Sequence, residues 1–373
     1  MKISRVEATY LRAVPIQPPP FRAAPSRRDA VVVEVETDDG LIGYSLLGDT
    51  RVSQASLPVI NDVIARVVVG LDSMLVEQIW NRLTTEFEGK GFGTAIAAVD
   101  VALWDIRGKA LNQPIWRLLG GSRQQVETYI TFGATGPNTG HSDAPAYEFD
   151  ELVREASFHA QGGQGGLKMG VARADAIDVE SDFARAAAVR EAVGPSMKLM
   201  MDARRRLSID EATRLCRLVE PLHITFFEDP VLNNDPRLLA ELGRRTIVPL
   251  TANALVPDRW GYRDLLVGEA TQLVSLNAVK LGITEAVAVA HLAEAFNKRI
   301  ANGNGNGPHN AQLHGGVRNG SWVEYHYNVW MLYEALFEAV PRPDVGWVTL
   351  PETPGFGLDP RADVIREHRV PAM

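Results

Sequence analysis

The sequence has little of what several protein classes require. Its 373 residues include a single cysteine, which excludes an internal disulfide and a zinc site built from cysteines. No apolar run approaches the roughly 18 residues that a membrane-spanning helix needs, and the first residues lack the apolar segment of a signal peptide. We therefore expect a cytoplasmic protein with no membrane partner.

Excess positive charge is also lacking. The 38 Lys and Arg residues are outnumbered by 46 Asp and Glu residues, which gives a formal net charge of −8 and a pI near 5.6. The three arginines at 204–206 are too few to form a basic stripe, so we expect no nucleic-acid partner. The glycine-rich segment at 302–307 lacks the G-x-G-x-x-G register, and no Walker lysine follows it.

The most informative segment that is present reads Ile-Thr-Phe-Phe-Glu-Asp-Pro at 224–230. Four strand-favouring or apolar residues lead directly to Glu228 and Asp229, which predicts a buried strand that ends at something charged. Carboxylates at the end of a buried strand take part in catalysis or bind a metal. The alternative is that they only open the loop before a helix beginning at Pro236, with Asp235 as its N-cap.

The same design recurs along the chain at near-equal intervals. Apolar segments end at Asp202, Glu228, Asn253 and Asn277, and successive ends are 26, 25 and 24 residues apart by subtraction. Each interval accommodates one strand, one loop and one helix. Repeated units of this kind, with polar residues at the strand ends, predict a (β/α) barrel whose catalytic groups lie on that face. The length fits a barrel plus an added module.

The N-terminal part differs from this repeat. Residues 1 to about 50 alternate as strands do, and 52–119 follow a helical pattern. The connection at 15–28 is proline-rich and has no periodicity, which is typical of a functional lid or a disordered segment.

Residues 98–121 read AVDVALWDIRGKALNQPIWRLLGG, which closely resembles the capping-domain signature of the mandelate racemase and muconate lactonizing enzyme group of the enolase superfamily. The segments at 202, 228–230 and 277–284 resemble the barrel of that group. The resemblance implies an α/β fold, a modified (β/α)7β TIM-like barrel at 125–339 with an α+β capping domain at 1–124. It also implies a C-terminal tail at 340–373 that packs back on the cap, and a homo-oligomer.

The resemblance further implies Mg²⁺ and a small-molecule carboxylate substrate. In this superfamily a base removes the proton α to the carboxylate, and the metal stabilises the resulting enediolate. The proton is very weakly acidic, so the second negative charge needs a cation where it forms. Mg²⁺ prefers hard oxygen ligands, and Asp202, Glu228 and Asn253 supply such a set.

Several positions depart from the pattern of the group. By resemblance Lys168 is the base on one face of the substrate, and Glu324 is the acid that hydrogen-bonds the substrate carboxylate. Gly166 stands where a second lysine normally touches that carboxylate. The remaining departures are asparagines, which replace an acidic metal ligand and the Asp and His of a catalytic dyad: Asn253, Asn277 and Asn304.

Two other residues have open roles. His309 is either a displaced catalytic acid or a solvated loop histidine. Arg204 follows Asp202 by two residues. It either binds the substrate carboxylate in place of the lysine that Gly166 replaces, or lies in solvent.

We expect a retuned enzyme rather than a decayed one, because Lys168, Asp202, Glu228 and Glu324 are all retained. The leading hypothesis is a lyase that abstracts the α-proton of a hydroxylated, sugar-derived acid and expels the β-hydroxyl. The nearest alternative is an isomerase, either a racemase or epimerase or a cycloisomerase of a hydroxy acid or lactone. A third is a non-catalytic relative that binds a metal and a carboxylate.

Overall fold

The computed structural model describes residues 1–17, 21, 26–47, 50–133, 149–172, 177–253, 256–303 and 305–371. The strands are β1 (Ile3–Ile16), β2 (Ser26–Thr37), β3 (Ile42–Leu47), β4 (Gln125–Phe132), β5 (Gly166–Gly170), β6 (Lys198–Asp202), β7 (Ile224–Glu228), β8 (Leu250–Thr251), β9 (Val274–Leu276), β10 (Ile300–Asn302), β11 (Val323–Tyr325), β12 (Phe337–Glu338), β13 (Trp347–Thr349) and β14 (Asp359–Pro360). The α-helices are α1 (Thr50–Pro58), α2 (Ala65–Val68), α3 (Val76–Glu86), α4 (Gly93–Ala110), α5 (Ile115–Leu118), α6 (Phe149–Gln161), α7 (Val179–Val193), α8 (Ile209–Val219), α9 (Pro236–Gly243), α10 (Arg259–Val267), α11 (Ala278–Leu281), α12 (Ile283–Ala295), α13 (Gly307–Gly316), α14 (Tyr327–Leu336) and α15 (Ala362–His368).

The N-terminal strands form an antiparallel sheet in the order β1-β2-β3. Both long strands extend into the stretch that the sequence predicts to be irregular, since β1 runs to Ile16 and β2 begins at Ser26. Alternate residues of β2 enter different cores. Val31, Val33 and Val35 pack in the core of the N-terminal part, whereas Val32 joins the core of the barrel. The sheet therefore has one face toward the barrel.

Eight strands, β4 to β11, form the barrel in chain order, as the repeat of strand ends predicts. The parallel pairs run β11-β4-β5-β6-β7-β8 and β9-β10. Backbone hydrogen bonds close the two remaining gaps, from Gln272 N–H to the Leu250 carbonyl (3.0 Å) and from Asn302 N–H to the Trp322 carbonyl (2.9 Å). The fold is a TIM-like α/β barrel with an added capping domain.

The helices between the barrel strands begin where the sequence predicts. Ser208 and Glu211 form a complete capping box at the start of α8. Asp235 caps α9, and Pro236 is its first residue. Cys216 is fully buried on the inner face of α8, so the lone cysteine belongs to the core.

A small apolar layer closes the interior of the barrel beneath the strand ends. We call it the barrel floor; its members, from five of the strand regions, are Tyr129, Met200, Phe226, Leu273 and Ala301, with Trp322 packed against them. Because these side chains fill the barrel, polar groups at the carboxyl ends of the strands line a pocket that is closed from below.

The last residues return to the first sheet. Val370 N–H donates to the Tyr10 carbonyl at 2.9 Å, and Leu11 forms a bridge with Arg369. We propose that the chain divides near residue 124 into a cap and a barrel, with the tail from about residue 340 returning to the cap; these contacts support the division. Among the helices of the described ranges, none combines the length and the apolar character needed to cross a membrane.

Candidate active site

The ends of adjacent barrel strands bring the predicted acids together. Asp202 at the end of β6 is the register partner of Glu228 at the end of β7. The neighbouring Asp229 has a left-handed backbone (φ 48°), and its carboxylate accepts hydrogen bonds from Asn253 N–H (2.9 Å) and Asn234 Nδ2 (2.8 Å). Glu228 therefore faces the barrel interior, while Asp229 fixes the loops after β7 and β8.

Lys168 on β5 is the centre of the site. Its ammonium forms an ion pair with Glu228 and lies 3.1 Å from Glu324 Oε1 and 4.0 Å from Asp202 Oδ2. Its side chain is 2% exposed. Burial lowers the pKa of Lys168, but the charges of Glu228 and Glu324 outweigh it and hold the pKa well above its usual value. In this state the lysine is an ammonium ion.

Glu324 is fixed by the strands and loop around it. Its Oε2 accepts a hydrogen bond from Gly305 N–H at 2.8 Å, and its Oε1 accepts one from Thr131. Burial raises the pKa of Glu324, but Lys168 and these hydrogen bonds reverse the effect and bring it to about 2. Glu324 is therefore an ionised acceptor beside the lysine.

The glycine at 166 has a packing explanation. A Cβ atom there would lie 3.0 Å from Met200 Cε and 3.2 Å from Tyr129 Cβ, so the barrel floor occupies the path of any longer side chain. Tyr129 also approaches Lys168, with its hydroxyl 3.4 Å from Nζ, and donates a hydrogen bond to the Asn302 carbonyl at 2.6 Å. Gly166 thus lies below the lysine, and it supplies no cation to the substrate.

The chemistry of the cluster fits a divalent cation. Burial raises the pKa of Glu228, the charge of Lys168 opposes this effect, and the neighbouring carboxylate of Asp202 adds to it. The cluster is therefore short of positive charge. Asp202 remains partly open, at 22% side-chain exposure. Hard oxygens near a charge deficit are what Mg²⁺ binds.

Asn253 stands beside this cluster with its amide group toward Glu228. Its Nδ2 donates to Glu228 Oε1 at 3.3 Å, so the amide must turn to present its oxygen to the same ion. A Cβ at Gly303 would overlap both of these atoms, so the glycine keeps that space free. In the described part of the chain, no three His, Cys, Asp or Glu side chains form a metal-holding group. Two carboxylates and one amide remain as the donor set.

The structure gives Asn277 a structural position. Its Oδ1 caps α11 by accepting from Val279 N–H at 3.0 Å, and its Nδ2 donates to the carbonyls of Gly303 (3.1 Å) and Gly305 (3.3 Å). Asn277 thus orders the loop that contains Gly305, whose backbone N–H donates to Glu324. Asn304 lies outside the described residues, so its predicted role stays a prediction.

His309 is buried in the core. Its Nδ1 is 2.8 Å from the Tyr333 hydroxyl, and its ring centroid is 4.4 Å from that of Phe356. Burial lowers the pKa of His309 to about 3. It is not a solvated loop residue, because α13 carries it inward, and its role as a catalytic acid stays a prediction.

Arg204 does reach the site. Its backbone N–H donates to Asp202 Oδ1 at 2.8 Å, and its Nη2 would lie 3.3 Å from a Cβ at Gly170, two residues beyond Lys168 on β5. Its guanidinium therefore covers the strand end above the lysine. Its predicted contact with the substrate stays a prediction.

Sequence reasoning missed two residues that the fold brings to this region. His326 is two residues past Glu324, a spacing that places both on one side of an extended chain and that would have indicated it. Arg28, at the start of β2, comes from the capping domain, and no sequence spacing connects it to the barrel. The charges that act on His326 are those of Glu324, Arg28, Lys168 and Arg204.

Comparison with known proteins gives consistent matches. Residues 151–364 match the family model "Enolase C-terminal domain-like", and residues 6–120 match "Mandelate racemase / muconate lactonizing enzyme, N-terminal domain". An arabinonate dehydratase of Saccharolobus solfataricus is 28% identical over 355 residues, which cover 91% of each chain. A D-galactarolactone cycloisomerase of Agrobacterium fabrum is 28% identical over 380 residues, which cover 94% of this chain and 95% of the relative.

A solved structure has the same architecture along its whole length. It is a mandelate racemase/muconate lactonizing enzyme from a marine actinobacterium in complex with magnesium, at 25% identity and a TM-score of 0.84, and 99% of each chain is covered. The family models together account for most of the chain, and the predicted family is confirmed.

Proposed function

Because the chain belongs to the mandelate racemase and muconate lactonizing enzyme group of the enolase superfamily, we propose that it dehydrates a hydroxylated sugar acid. The observation that carries the proposal is the position of Lys168, buried between Glu228 and Glu324 at the carboxyl ends of the barrel strands. A dehydratase and a cycloisomerase of sugar acids among its relatives support the substrate class.

We assign Asp202, Glu228 and Asn253 as the residues that hold Mg²⁺. When bound, the ion supplies positive charge to the substrate carboxylate as a second negative charge develops there. Arg204 acts in place of a lysine at position 166 and binds the same carboxylate from above β5. Glu324, fixed by Gly305, takes the proton that Lys168 gives up and then donates a hydrogen bond to the substrate carboxylate.

Lys168 performs the proton transfers in this proposal. Its ammonium gives one proton to Glu324 Oε1, 3.1 Å away, and Glu228 would hold that proton less strongly if it were a metal ligand. Neutral Nζ takes the α-proton, and the electron pair of the broken C–H bond moves into the carboxylate. The pair then forms the carbon–carbon double bond as the β C–O bond breaks.

The same lysine completes the elimination. It returns the proton to the departing oxygen, which leaves as water, and the enol product becomes a 2-keto acid. One base is sufficient when both groups leave from the same face.

The residues on the side of the substrate opposite Lys168 favour elimination over racemisation. A racemase needs a proton donor on each face of the α-carbon. At the described ends of β9 and β10 stand Asn277 and Asn302, whose amides already donate hydrogen bonds to the carbonyls of Gly303 and Gly305. Neither transfers protons at neutral pH.

Screening for a 2-keto acid tests the proposal. Purified protein with Mg²⁺ is incubated with aldonates and aldarates, and the keto group is detected by a coupled assay, with Lys168→Met as the inactive control. Formation of a 2-keto acid by the parent alone is the expected result. A product with the mass of the substrate but no keto group would instead establish a cycloisomerase. Binding of acids without any product would establish a non-catalytic relative.

We also propose a homo-oligomer, which is supported only by the family. Light scattering measures it directly, and a monomer would contradict it.

A further inference from the structure

Arg28 is an arginine whose guanidinium is largely unsatisfied. Its Nε and Nη2 atoms are inaccessible to solvent and have no hydrogen-bond partner among the described residues. Burial lowers the pKa of this guanidinium. A buried cation without such partners is costly, and folded proteins rarely keep one unless a ligand completes it.

The strand β2 aims this side chain at the barrel. Ala30 and Val32 both belong to the core of the barrel, and Arg28 is separated from them by two and four residues. Residues at this spacing lie on the same face of a strand. Arg27, one position earlier, is exposed. Arg28 therefore faces the barrel from the cap.

His326 is a second orphaned group, on the barrel side. The residue follows β11 directly and precedes α14, and its Nδ1 is buried with no hydrogen-bond partner in the described ranges. Burial lowers the pKa of His326; the charge of Glu324 opposes this effect, and the charges of Arg28, Lys168 and Arg204 add to it. It is thus a neutral imidazole with one unused N–H or lone pair between cationic neighbours.

Neither group is among the assigned contacts of the reacting carboxylate: Arg28 belongs to the cap, and His326 lies two residues beyond Glu324, after the end of β11. We propose that the substrate carries a second anionic group, at the end remote from the reacting carbon, and that Arg28 and His326 bind it. The inference rests on the proposed function and narrows it, because sugar acids with a carboxylate at each end are selected over those with one. A guanidinium fork matches the two oxygens of a carboxylate or a phosphate.

Binding measured by calorimetry in the presence of Mg²⁺ tests this without requiring turnover. The probes are gluconate, glucarate and 6-phosphogluconate, together with galactonate and galactarate, so that each series differs only at the terminal carbon. In the series that binds best, we expect the dianion to bind at least about 100-fold more tightly than the monoanion. The monoanion would leave the buried polar groups of the site without a partner, and that lowers its affinity. The affinity of 6-phosphogluconate shows whether the second anionic group is a phosphate or a carboxylate.

Three variants locate the preference. Arg28→Met is expected to reduce the ratio of dianion to monoanion affinity to within about threefold, and Arg28→Lys to leave an intermediate ratio, since it keeps the charge and loses the fork. Arg27→Met is the matched control, an exposed arginine on the same strand, and should keep the parent ratio. Equal binding of the two classes by the parent, or no binding of any probe, overturns the inference.

Stability gives a second readout. An unsatisfied arginine adds nothing to the ligand-free fold, so Arg28→Met should have a Tm equal to or above that of the parent. A lowered Tm together with an unchanged affinity ratio would make Arg28 structural and overturn the inference. Failure of the proposed function is recognised separately, as the absence of any product while the dianions still bind.

Discussion

Replacing Lys168 by methionine should show that its ammonium and the metal neutralise the same carboxylates. Methionine has a similar length, so the change removes mainly the charge. The side chains of Glu228 and Glu324 are each 3% exposed, and both lose the ammonium that lies at contact distance. Removing one member of a buried ion pair costs about 3–5 kcal/mol.

That cost converts to a measurable shift in Tm. The entropy of unfolding is about 2.1 cal/mol/K per residue, so over 373 residues 1 kcal/mol corresponds to roughly 1.3 °C. In the presence of a chelator, Lys168→Met should therefore melt roughly 4–6 °C below the parent. Mg²⁺ should recover most of this loss, because the ion replaces the missing positive charge, and should bind the variant more tightly than the parent.

Lys198→Met is the matched control for this experiment. Lys198 on β6 forms an ion pair with Glu127 on β4, but its side chain is 40% exposed, and such pairs contribute about 0–1 kcal/mol. Its Tm should change little and independently of Mg²⁺. If Mg²⁺ raises the Tm of Lys168→Met and of the parent by the same amount, the ammonium and the metal do not share Glu228, and the reasoning is refuted.

Three further results are expected. Asn253→Glu should tighten Mg²⁺ binding about tenfold in calorimetric titration, since a carboxylate replaces an amide, and no binding to the parent at millimolar metal would contradict the site. Gly303→Ala should weaken Mg²⁺ binding without changing the fold measured by circular dichroism, because its methyl group overlaps Glu228 and Asn253. Burial raises the pKa of Asp100 to about 7, despite hydrogen bonds from Thr284, so the folded state binds this proton more tightly than the unfolded chain does. The free energy of unfolding of the parent, relative to that of Asp100→Asn, should thus be greatest below about pH 4 and fall by about 1.4 kcal/mol per pH unit up to about pH 7. Denaturant titration measures this difference, and a difference that does not change with pH would contradict the prediction.

The barrel was predictable because its signal is local and repeated. Apolar strands that end at Asp202 and Glu228 recur at near-constant intervals, and parallel strands in a barrel bring such ends side by side. The capping boxes and N-caps of the following helices are equally local. The extent of β1 and β2 was predicted too short, because prolines near residue 18 outweighed the long antiparallel pairing that extends both strands.

The details of the site depend on distances that a sequence does not contain. Only the curling of the strands into a barrel brings Lys168 against Glu228 as an ion pair. The same curling places Tyr129 in the space beside Gly166. Arg28 is separated from His326 by about 300 residues and reaches it only because the cap covers the barrel. His309 was within reach of the site in sequence, but α13 buries it against Tyr333.

Exchange of the α-hydrogen in deuterated water tests most directly whether Lys168 is the single base. With Mg²⁺ and an acid that the enzyme turns over, proton NMR follows the loss of the α-hydrogen signal from each epimer. We expect exchange or elimination from one epimer alone, and complete loss of both in Lys168→Met, with Lys198→Met as active as the parent. Exchange that persists in Lys168→Met, or exchange from both epimers in the parent, would show that another base acts at this carbon and would contradict the account.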